Sequence, residues 1–321
     1  MSQHFLLSAK ARSLSLGAVM RMDDGLVEQT FRAIRWPDGK PVCPGCEGEK
    51  VYDCVRNRFR CAACRKDFSI TSGTIFASHK LPLRTYLAAI AIFANEVKGK
   101  SALALSRDLD VQYKTAFVLA HKLREAMAND LKGMRVGGID KVVEVDGAYF
   151  GGYVKPTNHK ENRQDRRKAS NQNDKRQVVV VARERKGKTL PAIFAAEKQS
   201  LPFISSRVMK GSHLMADEAP SWNDLHGRFD VSRIDHTKAY SMPEMVHTNG
   251  AEGFFSRLRR GEMGHHHHIS GPYLLRYAQE SAWREDHRRV DNGSQVKAII
   301  DLAMHSKPSV DFSGYWQRNR K

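Results

Sequence analysis

The sequence has no apolar run long enough to span a membrane. Its longest such stretch, from Tyr86 to Ala94, is less than half of the about 20 residues that a transmembrane helix needs. The first residues also lack the charged and then apolar layout of a secretory signal. We therefore expect a cytoplasmic protein that does not act at a membrane.

Cysteine is scarce as well, with five residues in a chain of 321. Four of them form two C-x-x-C pairs, a pattern that indicates metal binding in a reducing compartment rather than a disulfide framework. Internal repeats are absent, and the only low-complexity tract is HHHH at 265–268.

Acidic residues are few relative to basic ones. The chain has 35 Asp and Glu against 53 Lys and Arg, which gives a net charge of +18. Such an excess predicts a polyanionic partner, because each phosphate that is neutralised releases counterions. Charge alone does not separate a nucleic-acid enzyme from a ribosome-associated or merely soluble basic protein.

The apolar pattern divides the chain into four parts. We expect a cysteine-containing segment over 1–80, a helical region over 81–135, a strand-rich domain over 136–300 and a basic tail over 301–321. Within the third part, β-branched and alternating patterns predict strands over 142–148, 177–182, 189–196 and 213–216, with helices over 201–209 and 219–225.

The two C-x-x-C pairs predict a zinc ribbon. Thiolates two residues apart on a tight turn can reach one tetrahedral zinc ion, and a second such turn completes the set. The four expected ligands are Cys43, Cys46, Cys61 and Cys64. Cys54 has no mate and is interpreted as a non-ligand. A redox pair is the competing interpretation, but two pairs at this spacing favour structural zinc.

The helical region predicts a helix-turn-helix. Ser101 can cap a first helix, and a second helix is expected from Tyr113 to Met127. Its opening residues would face base edges in a DNA major groove; they are Gln112, Tyr113, Lys114 and Thr115. An ordinary helical hairpin has the same pattern.

Three acidic residues are placed as a two-metal phosphoryl-transfer site requires. In a ribonuclease H-like mixed sheet, carboxylates come from a first strand, a later strand end and a following helix. Asp146 lies in the first predicted strand, Asp217 ends an apolar strand, and Glu252 opens a helical pattern 35 residues later. Chance spacing is the alternative, but charge in an apolar strand is costly without a partner. Glu144 and Glu218 are rival acids.

Several segments resemble the zinc-ribbon insertion-sequence transposases with an ISXO-like DDE catalytic domain. The resemblance extends over roughly residues 25 to 290, with its blocks in the family order. The segments are FRCAAC at 59–64, FS at 68–69, GTIF at 73–76, LPL at 81–83, VDGAYFGG at 145–152, HTNGAEGFFSRLRRG at 247–261 and HHIS at 267–270.

The resemblance implies cutting at terminal inverted repeats, strand transfer into target DNA, and Mg²⁺ or Mn²⁺ as catalytic ion beside structural Zn²⁺. It places Asp146, Asp217 and Glu252 at the metals and makes Asn249 an alternative third ligand. Arg259 stands where the family commonly has Lys, and we expect it to bind phosphate. The expected partner is double-stranded DNA, bound by a homo-oligomer.

Two further segments are basic. The stretch 155–176 has many Lys and Arg and few apolar residues, which predicts a flexible loop that contacts phosphate. The histidines at 265–268 are interpreted as a loop that faces DNA or the active site. The alternative function for the whole chain is a zinc-ribbon and helix-turn-helix DNA-binding protein whose nuclease-like domain is inactive.

Overall fold

The computed structural model describes residues 4–55, 57–78, 80–151, 159–162, 176–234 and 246–318. The chain forms two compact units. The first unit combines Met1–Asp130 with His287–Lys321, and the second is Leu131–Asp286.

Helices and strands occupy most of the described chain. The α-helices are α1 (Leu16–Arg21), α2 (Asp24–Arg35), α3 (Leu83–Asn95), α4 (Ala102–Asp108), α5 (Tyr113–Asn129), α6 (Leu201–Arg207), α7 (Asn249–Gly261), α8 (Gly271–Asp286), α9 (Asn292–His305) and α10 (Tyr315–Arg318). The strands are β1 (Val51–Cys54), β2 (Arg58–Cys61), β3 (Asp67–Ser69), β4 (Val136–Gly137), β5 (Val142–Phe150), β6 (Gln177–Glu184), β7 (Thr189–Phe194), β8 (Val208–Met209), β9 (His213–Asp217) and β10 (Asp230–Ile234).

Short helical turns connect several of these elements. They are 3-10 helices at Phe5–Leu7, Ala9–Ala11, Lys160–Asn162, Glu197–Ser200 and Pro220–Gly227, and a π-helix at Glu262–His266.

The first unit joins an antiparallel ribbon of three strands to a group of helices. In the ribbon, β2 pairs with both β1 and β3. Phe59 and Phe68 face each other across β2 and β3, with ring centroids 5.3 Å apart, and Trp36 meets Phe59 edge-on. This aromatic cluster is too small to stabilise an isolated ribbon, so a second source of stability is needed there.

The apolar run in α3 lies in the hydrophobic core of the first unit. Every residue from Tyr86 to Ala94 is buried, because helices α1, α2 and α9 pack around α3. Among the residues that the structure describes, no helix is long and apolar enough to cross a membrane.

The C-terminal residues belong to the first unit. Helix α9 packs against α2, α3 and α5, and buries Val296, Ile299, Ile300, Ala303 and Met304. The sequence-based division instead ended the strand-rich domain at 300 and treated 301–321 as a basic tail. The difference has a physical reason: the apolar face of α9 repeats every three to four residues and is covered by the helices of the first unit.

The second unit contains a mixed sheet of five strands in the order β10-β9-β5-β6-β7. Strand β5 is central, with β6 antiparallel on one side and β9 parallel on the other. In β6 the residues from Val178 to Ala182 are all buried, which shows that both faces of the sheet are covered. Helix α7 packs on β5 and β6, and α8 packs on β7 and β6.

The predicted strands of this unit form with boundaries within two residues of the expected ones, and β10 is an additional strand. The helix expected over 201–209 ends at Arg207, since Val208 and Met209 pair with β4. The helix expected over 219–225 is a 3-10 helix.

Substitutions in α9 test its place in the core. We expect Ile300→Ala to lower the free energy of unfolding of the first unit by about 2–5 kcal/mol, because it leaves a cavity among packed helices. Chemical denaturation of the full chain, followed by circular dichroism, measures the effect. The exposed neighbour Lys297→Ala is the control and should change stability little. Equal stability of the two variants would contradict the burial of α9 in the core of the first unit.

Candidate functional site

The four cysteines of the ribbon meet at one point. The sulfur of Cys43 lies 3.7 Å from that of Cys64, and the sulfur of Cys46 lies 3.5 Å from that of Cys61. All four sulfur atoms lie within 4.8 Å of one another. Four thiolates that bind zinc tetrahedrally at about 2.3 Å are about 3.8 Å apart. The cysteine cluster therefore fits a single zinc ion.

Both C-x-x-C turns have the same backbone geometry. The amide of Glu47 donates to the carbonyl of Cys43, and the amide of Arg65 donates to the carbonyl of Cys61. Glu47 and Arg65 each have φ of 58°, a left-handed conformation that reverses the chain after the second cysteine.

Cys54 lies outside this cluster. It is exposed, and its thiol is directed to the carbonyl of Tyr52 in β1. Its assignment as a non-ligand agrees with this position.

The second unit brings Asp146 and Asp217 side by side. Strands β5 and β9 run parallel, with Val145 paired to Ala216, so the next residue of each strand is one of the two aspartates. Burial is the largest of the effects that raise the pKa of Asp146 to about 7, and the charges of Asp217, Glu252 and Glu197 contribute to the same rise. The three predicted acids therefore act on one another electrostatically.

The carboxylates of this site are not drawn together into a compact group of three ligand atoms. Among the described residues, the four cysteines are the one group that brings three or more potential ligand atoms within 4.8 Å. Like charges repel at short distance, so a looser spacing is expected of acids with no cation between them.

Asp217 is held at the end of β9 by two hydrogen bonds. The indole of Trp222 donates to its Oδ1 at 2.7 Å, and the amide of Ala219 donates to the same oxygen at 3.2 Å. Trp222 is fully buried, so the orientation of the carboxylate is fixed by the core.

Helix α7 supplies the third acid. Thr248 precedes the helix but its side chain makes no capping hydrogen bond. Instead the carboxylate of Glu144 in β5 accepts a hydrogen bond of 2.9 Å from the amide of Ala251. Gly250 permits this approach, because a Cβ there would lie 2.6 Å from the Glu144 carboxylate. The hydroxyl of Thr248 donates to Glu252 at 3.1 Å.

Glu144, a rival acid in the sequence, has a different position from Asp146. It is 1% exposed, and Arg185 donates to it at 2.8 Å. Arg185 also donates to the carbonyl of His247, just before α7. Glu144 thus anchors the helix that carries Glu252. Glu218, the other rival, is exposed.

A cavity of about 450 Å³ lies between strand β5 and one side of helix α7. Its wall includes Asp146 and Glu252 together with Arg259, Arg260 and Met263. The two arginines are exposed, and the guanidinium of Arg259 lies 5.7 Å from the ring centroid of Phe150. A cavity whose wall contains both acids and arginines can receive a phosphate and a cation together.

Glu197 is a fourth acid that the sequence analysis missed. A Cβ on Gly147 would lie 2.9 Å from its carboxylate, and Ser221 donates to it at 3.1 Å. Burial raises its pKa, and the charge of Asp217 adds to that effect. No motif signals Glu197, because it follows β7 in a polar turn far from the other acids in sequence.

Other predicted residues lie away from this cavity. Asn249 is the exposed first residue of α7 and is not part of the cavity wall. The histidines at 265–268 extend α7 as a π-helix and a turn, with His266 packed on Tyr277. Most of the basic stretch 155–176 lies outside the described residues.

In the first unit, α4 and α5 are joined by a short turn. Gln112, Tyr113 and Lys114 are exposed at the start of α5, and Thr115 is half-buried. Further along α5, four apolar residues are buried: Ala116, Val118, Leu119 and Leu123.

Metal analysis tests the cysteine cluster. We expect about one zinc per chain in freshly purified, reduced protein and none after Cys61→Ser, because three thiolates hold zinc much more weakly than four. The variant should also lose the structure of the ribbon. Cys54→Ser is the matched control and should keep its zinc. Zinc loss in the control, or its absence from the wild type, would contradict the assignment.

Comparison with known proteins finds two matching domain families in this chain. A model of the transposase zinc-ribbon domain matches residues 22–67, and a model of the ISXO2-like transposase domain matches residues 136–286. A Halobacterium salinarum protein, described as an uncharacterized protein in transposable element ISH50, is 24% identical over 284 residues, which are 84% of this chain and 94% of the relative. No solved structure matches the chain. The two domain matches together span more than half of the sequence, and the chain belongs to the zinc-ribbon transposases with an ISXO2-like domain.

Proposed function

We propose that this chain is a DDE-type transposase, which binds the ends of a mobile element and catalyses metal-dependent DNA cleavage and strand transfer. One observation carries the proposal. Asp146, Asp217 and Glu252 come from three separate elements, and the charges of the other two raise the pKa of Asp146. They do so beside a cavity whose wall also contains two arginines.

The topology of the second unit supports a ribonuclease H-like fold. Strand β5 lies between antiparallel β6 and parallel β9. The acids follow the arrangement expected of that fold, on the first long strand, at the end of a later parallel strand and on a following helix. The inactive alternative is less well supported, because all three acids are present and are brought together.

The acids fit a hard divalent cation such as Mg²⁺ or Mn²⁺. Such ions prefer carboxylate oxygens, and the pKa of Asp146 is raised by burial first and then by the negative charges of Asp217, Glu252 and Glu197. Of two such ions bound there, one would activate the attacking oxygen and the other would stabilise the leaving oxygen of the phosphodiester.

The surrounding residues hold the acids and the substrate in place. Trp222 orients Asp217, and Thr248 orients Glu252. Arg259 and Arg260 are placed to bind the phosphate of the DNA strand, since guanidinium groups match phosphate oxygens. Glu252 is favoured over Asn249 as the third acid position, because it lines the cavity beside Asp146.

DNA recognition is assigned to the first unit. The exposed start of α5, with Gln112 and Lys114, is positioned as the reading end of a recognition helix. The arginines at the ribbon surface, such as Arg58 and Arg60 in β2, would add contacts to phosphate that carry no sequence preference.

Amide substitutions test the catalytic assignment. We expect Asp146→Asn, Asp217→Asn and Glu252→Gln each to reduce Mg²⁺-dependent strand transfer of pre-cut ends by more than about 100-fold, since even the loss of residues that support metal ligands costs about 10–100-fold. DNA binding should persist. Mn²⁺ should raise the melting temperature of the wild type and have little effect on Asp146→Asn, because an amide is a poor ligand for a hard cation.

Glu218→Gln is the control for these variants, because it removes an exposed charge next to Asp217. It should retain full strand transfer. Full activity of Asp146→Asn or Asp217→Asn would contradict the mechanism. Activity of Glu252→Gln together with inactivity of Asn249→Ala would move the third position to Asn249.

The salt dependence of binding tests the role of the basic charge. With a net charge of +18, DNA affinity should fall by roughly 10³-fold or more between about 50 and 200 mM salt, because counterions compete for the phosphates. Fluorescence anisotropy with a duplex that carries an element end measures this slope. An affinity that does not change with salt would mean that the basic residues serve another purpose.

A further inference from the structure

The C-terminal segment from Phe312 to Gln317 folds onto the start of α5 and forms a second cavity. Its volume is about 400 Å³. The indole of Trp316 donates to the carbonyl of Lys114 at 3.1 Å, and the ammonium of Lys114 lies 5.3 Å from the Trp316 ring centroid. Tyr315 and Phe117 pack around the same ring. The cavity therefore has one fixed aromatic wall, built within the first unit.

The charge of this cavity is positive. Its wall contains Lys114 and Lys122 and, among the described residues, no carboxylate. Lys122 is 1% exposed, and its ammonium donates to the carbonyl of Ala77 at 3.2 Å. Burial lowers the pKa of Lys122 to about 8, and the charge of Glu125 acts weakly in the opposite direction. A buried ammonium whose acceptor is a neutral carbonyl is costly unless an anion joins it.

Another polar group in the cavity wall has no hydrogen-bond partner among the described residues. The hydroxyl oxygen of Ser313 is buried and has no hydrogen-bond partner in the described part of the chain. Buried hydroxyls are hydrogen-bonded in nearly all proteins, so an unpaired one indicates a missing ligand or water.

The size and chemistry of the cavity together select the ligand. A volume of 400 Å³ is in the range of sites for small molecules, which is about 300–1,000 Å³, and too small for duplex DNA. A cation and a free hydroxyl suit a phosphate, and aromatic rings suit a base, which stacks on such side chains. We propose that this cavity binds one unpaired nucleotide of DNA, with its phosphate at Lys122 and Ser313 and its base against Tyr315 and Trp316.

The proposal rests on the proposed DNA-binding function and adds a role for the C-terminal segment. Recognition of a duplex by α5 needs no unpaired base. A site for an extruded or terminal nucleotide next to α5 would let the protein distinguish a frayed or cut DNA end from continuous duplex.

Binding of two duplexes to the full chain tests the proposal. One duplex is blunt, and the other is identical but carries one unpaired 3′ nucleotide. All measurements use a parent protein that carries Asp146→Asn, so that DNA cleavage does not affect the result. We expect about tenfold tighter binding of the duplex with the unpaired nucleotide, since stacking of one base contributes about 1–3 kcal/mol. Thymidine 5′-monophosphate should compete for this advantage much better than inorganic phosphate.

Four variants, one of them a control, locate the effect. Lys122→Met keeps the length of the side chain without its charge, and Trp316→Leu removes the aromatic ring; both should lose the tenfold advantage. Trp316→Phe should keep most of it. Lys297→Met removes an exposed lysine of α9 and should behave as the parent protein. The melting temperature of Lys122→Met should equal or exceed that of the parent protein, because the substitution removes a buried charge. If Lys122→Met is instead destabilised, Trp316→Leu still tests the proposal independently.

Several outcomes would overturn the proposal. Equal binding of both duplexes by the parent protein would leave DNA binding intact and exclude the nucleotide site. An advantage that persists in Lys122→Met and Trp316→Leu would place the site elsewhere. Competition by inorganic phosphate as strong as that by the nucleotide would show an anion site without base recognition. Failure to bind either duplex would overturn both this proposal and the DNA-binding function.

Discussion

The buried carboxylate of Glu144 determines where α7 begins, and much of the candidate catalytic site depends on that point. Glu144 accepts from the amide of Ala251 and pairs with Arg185, which also holds the carbonyl of His247. A charge at the positive end of a helix dipole is stabilising, and breaking a buried ion pair costs about 3–5 kcal/mol. The position of Glu252, one residue after Ala251, follows from this anchor.

The same strand has two carboxylates with opposite roles. Glu144 and Asp146 lie two residues apart on one face of β5, so both point toward α7. The charge of Glu144 is balanced by the guanidinium of Arg185 and by the amide of Ala251 at the start of α7. Asp146 has acidic neighbours instead, and its pKa rises to about 7. The difference arises from what lies opposite each residue, and it separates a group that supports the fold from one that is poised for a ligand.

Sequence patterns predicted the helices and strands of this protein better than they predicted which residues pack around each element. Strands β5 and β6 were predicted from their β-branched runs, and the zinc ribbon from its paired cysteines. Both predictions were possible because strand period and ligand spacing are local properties of the sequence. The place of α9 was not predictable in this way, since its apolar face shows that it is buried but not against which helices. Glu197 was missed for the same reason: only the folded sheet brings it beside Gly147 and near Asp146.

The distinction between Glu144 and Asp146 was likewise hidden in the sequence. Both are acids in an apolar strand, and the partner of Glu144 is Arg185, 41 residues away in the chain. Gly250 was a clue in the sequence that was not used. A glycine is required at this position because Glu144 approaches the helix start closely. A glycine in the first turn of a helix, where it lowers helix propensity, indicates such a close approach.

The two candidate metal sites are built on opposite principles. The ribbon has few apolar residues, so the four cysteines stand in for a core, and their sulfur atoms already lie at nearly the spacing that zinc imposes. The second unit has an extensive core of its own around β5 and β6, and can therefore keep Asp146 and its acidic neighbours close despite their repulsion. The apolar core, rather than a cation, therefore holds this unit together, which leaves an ion bound at that site available to the substrate.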